Sequence, residues 1–365
     1  MDHEHNMRAL LSFAVKNDGS DLHLKANAFP FLRVKGKLIP IGKQKLSAEA
    51  CRGIVLATMT EHQKVEFVSK KELDYGLKID GIGRFRVNAY TAQGETEAVL
   101  RVIQEGAKST TDLRLPPTLN KLASLKDGLV LVAGSTGSGK STTLAAMIDY
   151  INQNLEKRII TIENPVEIIH NDVKSVISQR EVGGDTDSFG IALRSILRQN
   201  PDIILIGEIR DKETADSAIQ AAQTGHLVFS TIHAGTAEET IARFAGLYPS
   251  DERPNVKRAL ALSLKGVLAQ RLIVDKENQK LPVLEIMTSS NRIQQAMLAD
   301  ADDLPGKENL TKIISESEMN GMTTLDQYLI KLITNDIITV QAALNEAVNP
   351  LGLKQALHQR GYKQF

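Results

Sequence analysis

The sequence carries a single cysteine, Cys51, among 365 residues. Neither a disulfide framework nor a multi-cysteine zinc site can be built from it, and a lone thiol fits a reducing compartment. Charge of one sign is also missing, because 44 Lys and Arg balance 44 Asp and Glu. That neutrality argues against nonspecific nucleic-acid binding, which needs surplus cations to displace counterions from phosphates. A local basic patch stays compatible with it. No stretch approaches the ~20 apolar residues that span a bilayer. Asp2, His3, Glu4 and His5 precede a short amphipathic stretch, without the basic start, long apolar run and small-residue cleavage site of a signal peptide. A cytoplasmic protein is expected. Internal repeats and low-complexity tracts are absent as well.

What is present is ordinary globular material. Hydrophobic residues make up 42% and charged residues 24%, enough for a core and unlike an intrinsically disordered chain. The length fits roughly two domains at about 150 residues each. Met7, Leu10, Leu11, Ala14 and Val15 share one helix face. Asn17-Asp18-Gly19-Ser20 breaks it. Phe31 to Val34 and Leu38 to Ile41 flank Lys35-Gly36-Lys37 as a hairpin, and a helix is expected from about Ser47 to Thr58. Arg84 to Ala89 and Glu97 to Ile103 read as strands. Phe85, Val87 and Ala89 alternate with Arg84, Arg86 and Asn88, so the apolar side faces a core and the arginines face outward. Residues 1–105 are therefore expected to form a smaller N-terminal α+β domain. Residues 106–118, polar and carrying Pro116-Pro117, read as a linker.

From residue 128 the texture changes. Leu129 to Ala133, Ile159 to Ile162, Ile203 to Ile206 and Leu227 to Ile232 are short apolar runs without alternation, as expected of parallel strands covered on both faces. Helical patterns such as Leu144, Met147, Ile148, Ile151 and Leu155 lie between them. This is α/β architecture over residues 119–365. After about residue 252 the chain reads as mostly helical, with a helical C-terminal subdomain from about 290. Leu325, Tyr328, Leu329, Leu332 and Ile333 form a stripe that reads as core packing.

Gly134-Ser135-Thr136-Gly137-Ser138-Gly139-Lys140-Ser141, followed by Thr142, matches G-x-x-x-x-G-K-[ST] between a strand and a helix. Glycines let backbone N–H groups turn inward around a phosphate. Lys140 adds a point charge at the β and γ oxygens, Ser141 a hydroxyl for Mg²⁺, and the helix N-terminus a favourable dipole. ATP with Mg²⁺ is the expected ligand. Ile203 to Ile206 runs through Gly207 into Glu208, an acid placed to hold the hydration shell of the metal. Ile159 to Ile162 runs into Glu163 and, beyond Asn164-Pro165-Val166, Glu167. Either acid could polarise the attacking water. His226 and His233 bracket the fourth strand, where an imidazole could report a γ-phosphate or simply serve the structure. His3, His5 and His23 have no accompanying ligand cluster and suggest no metal site.

Four of these segments occur in order: 134–142, Thr161 to Glu167, Ile203 to Asp211, and Thr224 to His233. They resemble the Walker A, Asp-box, Walker B and His-box of secretion-superfamily ATPases. Within that superfamily the chain is similar to the retraction ATPases of type IV pili, the PilT/PilU type. Gly19 to Leu24, Gly83 to Asn88, Gln179 to Gly183, Asp185 to Phe189, Met322 to Leu329 and Asn349 to Leu353 extend the likeness over essentially the whole chain.

The resemblance implies a RecA-like P-loop ATPase core, a PAS-like N-terminal domain, and assembly as a homo-hexamer with ATP between subunits. It implies a motor that powers pilus retraction and twitching motility at an inner-membrane platform protein, peripheral to that membrane, with a paralogous retraction ATPase as a further partner. It points to Glu167 as general base, to Glu208 as a support of the metal through water, and to His226 and His233 as links between nucleotide state and domain movement. Arg86 and Arg101 resemble arginines that reach the triphosphate, and Arg194 and Arg210 are weaker matches. Two departures stand out: Asn164 replaces the usual Asp of the Asp-box, and Asp300 to Ser317, with Asp302, Asp303, Pro305 and Gly306, lacks the shared C-terminal motif. A chain whose only cysteine is Cys51 cannot build the tetracysteine zinc module of the assembly ATPases. An accessory nucleotide-binding subunit with weak hydrolysis and a secretion or DNA-translocating ring are the alternatives, and the neutral charge weighs against DNA.

Overall fold

The computed structural model describes residues 3–298 and 309–362. The departures at Asp302, Asp303, Pro305 and Gly306 lie outside the described residues. The chain divides into two compact units, Met1–Gly106 with Glu167–Ile169, and Ala107–Val166 with His170–Phe365.

The first unit opens with α1 (His3–Lys16), followed by β1 (Gly19–Leu24), β2 (Phe31–Val34) and β3 (Lys37–Pro40). Then come α2 (Ala48–Leu56), α3 (Glu61–Lys70), β4 (Glu72–Ile79), β5 (Gly83–Ala92) and β6 (Glu95–Glu105). The six strands pair antiparallel in the order β3-β2-β1-β6-β5-β4. Alternation along β5 decides which face is dry: Phe85, Val87 and Ala89 are fully buried. They join Leu22, Leu32 and Leu100, and Met7, Leu11 and Ala14 from the periodic face of α1. Burying each large apolar side chain contributes about 1.5–3 kcal/mol. Thr60 and Gln63 close a reciprocal capping box at the start of α3, a helix the hydrophobic pattern alone does not announce. On the other face the register sets Arg86 directly opposite Arg101. Like charges so placed repel, and Asp74 at 3.9 Å from Arg86 and Asp21 at 2.9 Å from Arg101 offset the repulsion.

The second unit begins with α4 (Thr118–Ala123), β7 (Gly128–Ala133), α5 (Lys140–Asn154) and β8 (Arg158–Glu163). The short β9 (Ile168–Ile169) groups with the first unit, where it runs parallel to the end of β6. The chain continues through β10 (Val176–Glu181), α6 (Phe189–Ile196), β11 (Ile203–Ile206), α7 (Lys212–Gln223), β12 (Leu227–Ile232), α8 (Ala237–Gly246) and α9 (Arg253–Ser263). After β13 (Leu264–Val274) and β14 (Lys280–Thr288) come α10 (Asn291–Leu298), α11 (Leu310–Glu316), α12 (Leu325–Thr334), α13 (Val340–Glu346) and α14 (Pro350–Gln359). The sheet order is β10-β8-β11-β12-β7-β13-β14, parallel except for the β13–β14 pair. β7, β11 and β12 are buried at every residue, as the unalternating runs require. Leu325, Leu329, Leu332 and Ile333 of α12 pack with Ile273, Leu281 and Val283 of the last two strands.

The region after residue 252 is mostly helical, as expected, but α9 is followed by β13 and β14, strands of eleven and nine residues that extend the sheet. Their sequences hide it: Lys265, Gln270 and Arg271 interrupt β13, and Pro282 and Glu285 interrupt β14. Pro282 is tolerated because β14 is an edge strand. The segment 107–118 groups with the second unit, with Leu115 in its core.

Candidate nucleotide site

β7 ends at Ala133, and α5 begins at Lys140; the six residues between form a tight loop whose three glycines all have positive φ, +155° at Gly134, +80° at Gly137 and +86° at Gly139. The space agrees with the backbone. A Cβ on Gly134 would lie 2.3 Å from Ser138 Oγ and 2.6 Å from the Gln270 carbonyl oxygen, and one on Gly139 would lie 2.9 Å from Gln270 Nε2. The Lys140 ammonium curls along the loop and donates to the carbonyls of Gly134 and Ser135, both at 2.9 Å. Ser138 Oγ is buried with no hydrogen-bond partner among the described residues. A buried hydroxyl left unpaired costs about 1–3 kcal/mol, so a polar ligand arriving here meets a group that gains by its presence. Ser135, Thr136, Gly137 and Ser141 are exposed and Thr142 is half-buried.

The sheet order sets what surrounds the loop. Along the C-terminal edge the strand ends follow one another as β8, β11, β12, β7 and β13, about 4.8 Å apart. Glu163 ends β8, Glu208 follows β11 and His233 follows β12. Gly207 permits the close approach: a Cβ there would be 3.3 Å from Glu163 Cα. Glu208 is held on both carboxylate oxygens, Oε1 3.1 Å from His233 Nε2 and Oε2 accepting from Arg210 Nε at 2.8 Å. Glu163 Oε1 accepts from Thr161 Oγ1 at 2.7 Å and Gln179 Nε2 at 3.1 Å.

Beside the loop lies a cleft of about 660 Å³, lined by Gly134 to Ser138, His233, Glu239 and Arg243 of α8, Gln270, Arg271 and Leu272 of β13, and Glu346 at the end of α13. Arg271 Nη1 donates to the Glu346 carbonyl at 2.6 Å. None of the cleft residues from α8, β13 or α13 was legible in the sequence. The one available signal was the pair Gln270-Arg271 set in an otherwise apolar run.

His226 precedes β12, at the opposite end of the strand from His233, and its Nδ1 sits 3.0 Å from the Ala221 carbonyl oxygen. Glu167 is exposed and belongs to the short stretch grouped with the first unit. Arg86 and Arg101 lie on the polar face of the first unit's sheet. Arg194 pairs with Glu213 at 2.5 Å, and Arg210 with Glu208. Asn164 is exposed.

The sequence matches the family described as type II/IV secretion system protein over residues 3–346. It is 40% identical to the type IV pilus ATPase PilU of Pseudomonas aeruginosa, covering 93% of this chain and 87% of that one. It is 38% identical to the PilT retraction ATPase of the same organism, covering 93% and 98%. Among solved structures, the pilus retraction motor PilT with bound ADP superposes with a TM-score of 0.87 at 35% identity, covering 95% of this chain and 98% of that one. The chain thus belongs to the type II/IV secretion system protein family, within its type IV pilus retraction ATPases.

Proposed function

We propose that this chain is the subunit of a hexameric motor that hydrolyses ATP to withdraw type IV pili, driving pilin disassembly at an inner-membrane platform protein. The observation that carries the reading is the C-terminal sheet edge, where the loop, Glu163, Glu208 and His233 gather. Likeness over nearly the full chain to a protein titled a pilus retraction motor supports it. The loop 134–142 takes the phosphates, with Lys140 leaving its own carbonyls for the β and γ oxygens. Mg²⁺ fits the donor set: the Ser141 hydroxyl would ligate it directly and Glu208 would hold it through water, both hard oxygens. Among the described residues no three His, Cys, Asp or Glu could hold a metal ion together, so the ion would take its other ligands from phosphate oxygens and water. Bound there, it neutralises charge on the transferring phosphoryl group.

Glu167 serves as general base. Its exposure supports that choice over Glu163, whose carboxylate is already engaged by Thr161 and Gln179. Arg86 and Arg101 lend positive charge to the triphosphate. His233 reads the nucleotide through its contact with Glu208, while the part of His226 is in movement rather than binding. A paralogous retraction ATPase is a further partner, and neither zinc nor nucleic acid enters the reading. Placement at the inner membrane is through the pilus machine; among the described residues no helix is long and apolar enough to cross a membrane.

Deletion of the gene, complemented by wild type or Lys140→Ala and scored for surface pili and twitching, tests the proposal. Excess pili without movement in the Lys140→Ala strain is expected; loss of pili would point to assembly and overturn it. A second reading, an accessory subunit with weak hydrolysis, is favoured by Asn164 at the Asp-box position. Turnover by wild type no faster than by Glu167→Gln would select it.

A further inference from the structure

We infer that Gln270 is a positioning residue for the phosphate-binding loop, fixing the direction of the Gly139 amide through the Ser138 carbonyl; the inference rests on phosphate binding at 134–142. Gln270 sits on β13, one residue beyond the Ala269–Ala133 pairing with β7, and is 2% exposed. Its Nε2 donates to the Ser138 carbonyl at 2.7 Å, and its Oε1 accepts from Thr143 Oγ1 at 2.7 Å. A carbonyl oxygen only accepts, so the amide nitrogen must face Ser138 and the amide oxygen must face the Thr143 hydroxyl. The side chain therefore has one orientation.

The consequence follows from peptide geometry. In a planar trans peptide the C=O of one residue and the N–H of the next point to opposite sides. Drawing the Ser138 carbonyl toward β13 turns the Gly139 N–H away from β13. Gly139 adopts the required positive φ of +86° with no room for a Cβ against Gln270 Nε2. At the start of the loop the backbone carbonyl of Gln270 closes off the space where a Gly134 Cβ would stand. One residue thus bounds the loop at both ends. Through Thr143, which is 1% exposed in the first turn of α5, it also ties the loop to its helix. The adjacent Arg271 holds the Glu346 carbonyl at the end of α13, so consecutive residues of β13 grip the phosphate loop and the C-terminal helices.

ADP and AMP, each competed against a fluorescent ADP derivative, separate positioning from general damage, since the loop is needed mainly for the β-phosphate. Gln270→Leu keeps the volume and removes both hydrogen bonds. It is expected to weaken ADP about 30-fold, the order of one misdirected charge-assisted hydrogen bond, and to leave AMP within about twofold. Thr143→Val frees the amide to rotate, with an expected loss of about fivefold, and Thr143→Ser restores wild-type affinity. ADP binding by Gln270→Leu within threefold of wild type, or equal weakening of ADP and AMP, would overturn the inference. Should Gln270→Leu fail to fold, the Thr143 pair decides: equal ADP affinity in Thr143→Val and Thr143→Ser rejects the positioning role. Wild type that binds no ADP would instead reject the loop as a phosphate site.

Discussion

The two ends of the parallel sheet are made from the same strands and treat their polar groups in opposite ways. At the N-terminal ends, the Asp202 carboxylate accepts the Arg158 N–H at 2.8 Å, and the Asp202 N–H donates to the Arg158 carbonyl at 2.8 Å. The His226 ring meets the Ala221 carbonyl, and the His226 carbonyl accepts the Gly128 N–H at 3.0 Å. These contacts join one strand end to the next. At the C-terminal ends, Ser138 Oγ is buried without a partner among the described residues, the loop glycines hold positive φ, and the Lys140 ammonium rests on carbonyls of its own loop. One end closes the fold, and the other keeps hydrogen-bonding capacity that a ligand can take up. Ligand sites of open α/β sheets lie outside the carboxyl ends of the strands for this reason.

Breaking the C-terminal end should therefore damage chemistry and leave the fold intact. The largest effect is expected from Lys140→Ala, which removes the charge that faces the β and γ oxygens: phosphate release should fall at least ~100-fold, with the thermal midpoint without nucleotide unchanged. A midpoint that falls with activity would mean that Lys140 serves the loop rather than the phosphates. Next come two acids that flank β11. Glu208→Gln should lower turnover about 100-fold without moving the midpoint. Asp202→Asn should leave turnover near wild type and cost about 1 kcal/mol, a midpoint drop of ~2–4 °C. The reverse pattern in phosphate-release and melting assays would erase the distinction between the two ends.

How much of this was legible follows the same divide. The loop could be read because its backbone demands glycine at fixed places: Gly134, Gly137 and Gly139 all hold positive φ between β7 and α5, where the sequence pattern put them. The four parallel strands could be read because burial on both faces leaves no charge and no alternation in Leu129 to Ala133 or Leu227 to Ile232, where Ser230 and Thr231 satisfy their hydroxyls on the Ile206 and Gly207 carbonyls. β13 escaped because its polar residues have private partners. Gln270 is satisfied by Ser138 and Thr143, over 120 residues away in sequence, and Arg271 by Glu346. Long-range pairing of that kind leaves no local trace. Glu285 of β14 is a further case, buried at 4% exposure while accepting the Ala237 N–H at 2.7 Å. The Arg86–Arg101 juxtaposition was half visible, since the alternation faced Arg86 outward but only the register set Arg101 directly opposite it.

The histidines that bracket β12 sharpen the contrast with a smaller effect. His233→Ala removes the 3.1 Å contact to Glu208 Oε1 and should slow turnover about 10-fold, the equivalent of one hydrogen bond at ~1.4 kcal/mol. His226→Ala should leave ATP affinity and basal turnover within about twofold of wild type. If twitching then fails while ATPase activity persists, His226 acts in movement. If basal turnover collapses, the N-terminal end is not the purely structural end that its contacts describe.

The smallest effect concerns His170, which serves neither end directly. Burial pushes its pKa below the usual histidine value, against a weaker upward pull from Asp149. The folded state therefore favours the neutral ring, and that stabilisation is complete above about pH 6.5 and lost as the pH falls through the depressed folded value. The midpoint of wild type should consequently fall more steeply between about pH 7 and 5 than that of His170→Gln, read by melting curves across that range. The same residue is tied to the sheet edge by its backbone: the His170 main-chain N–H donates to Gln179 Oε1 at 2.9 Å, and Gln179 Nε2 donates to Glu163 Oε1 at 3.1 Å. Parallel pH slopes in the two proteins would show that the ring is solvated in both protonation states.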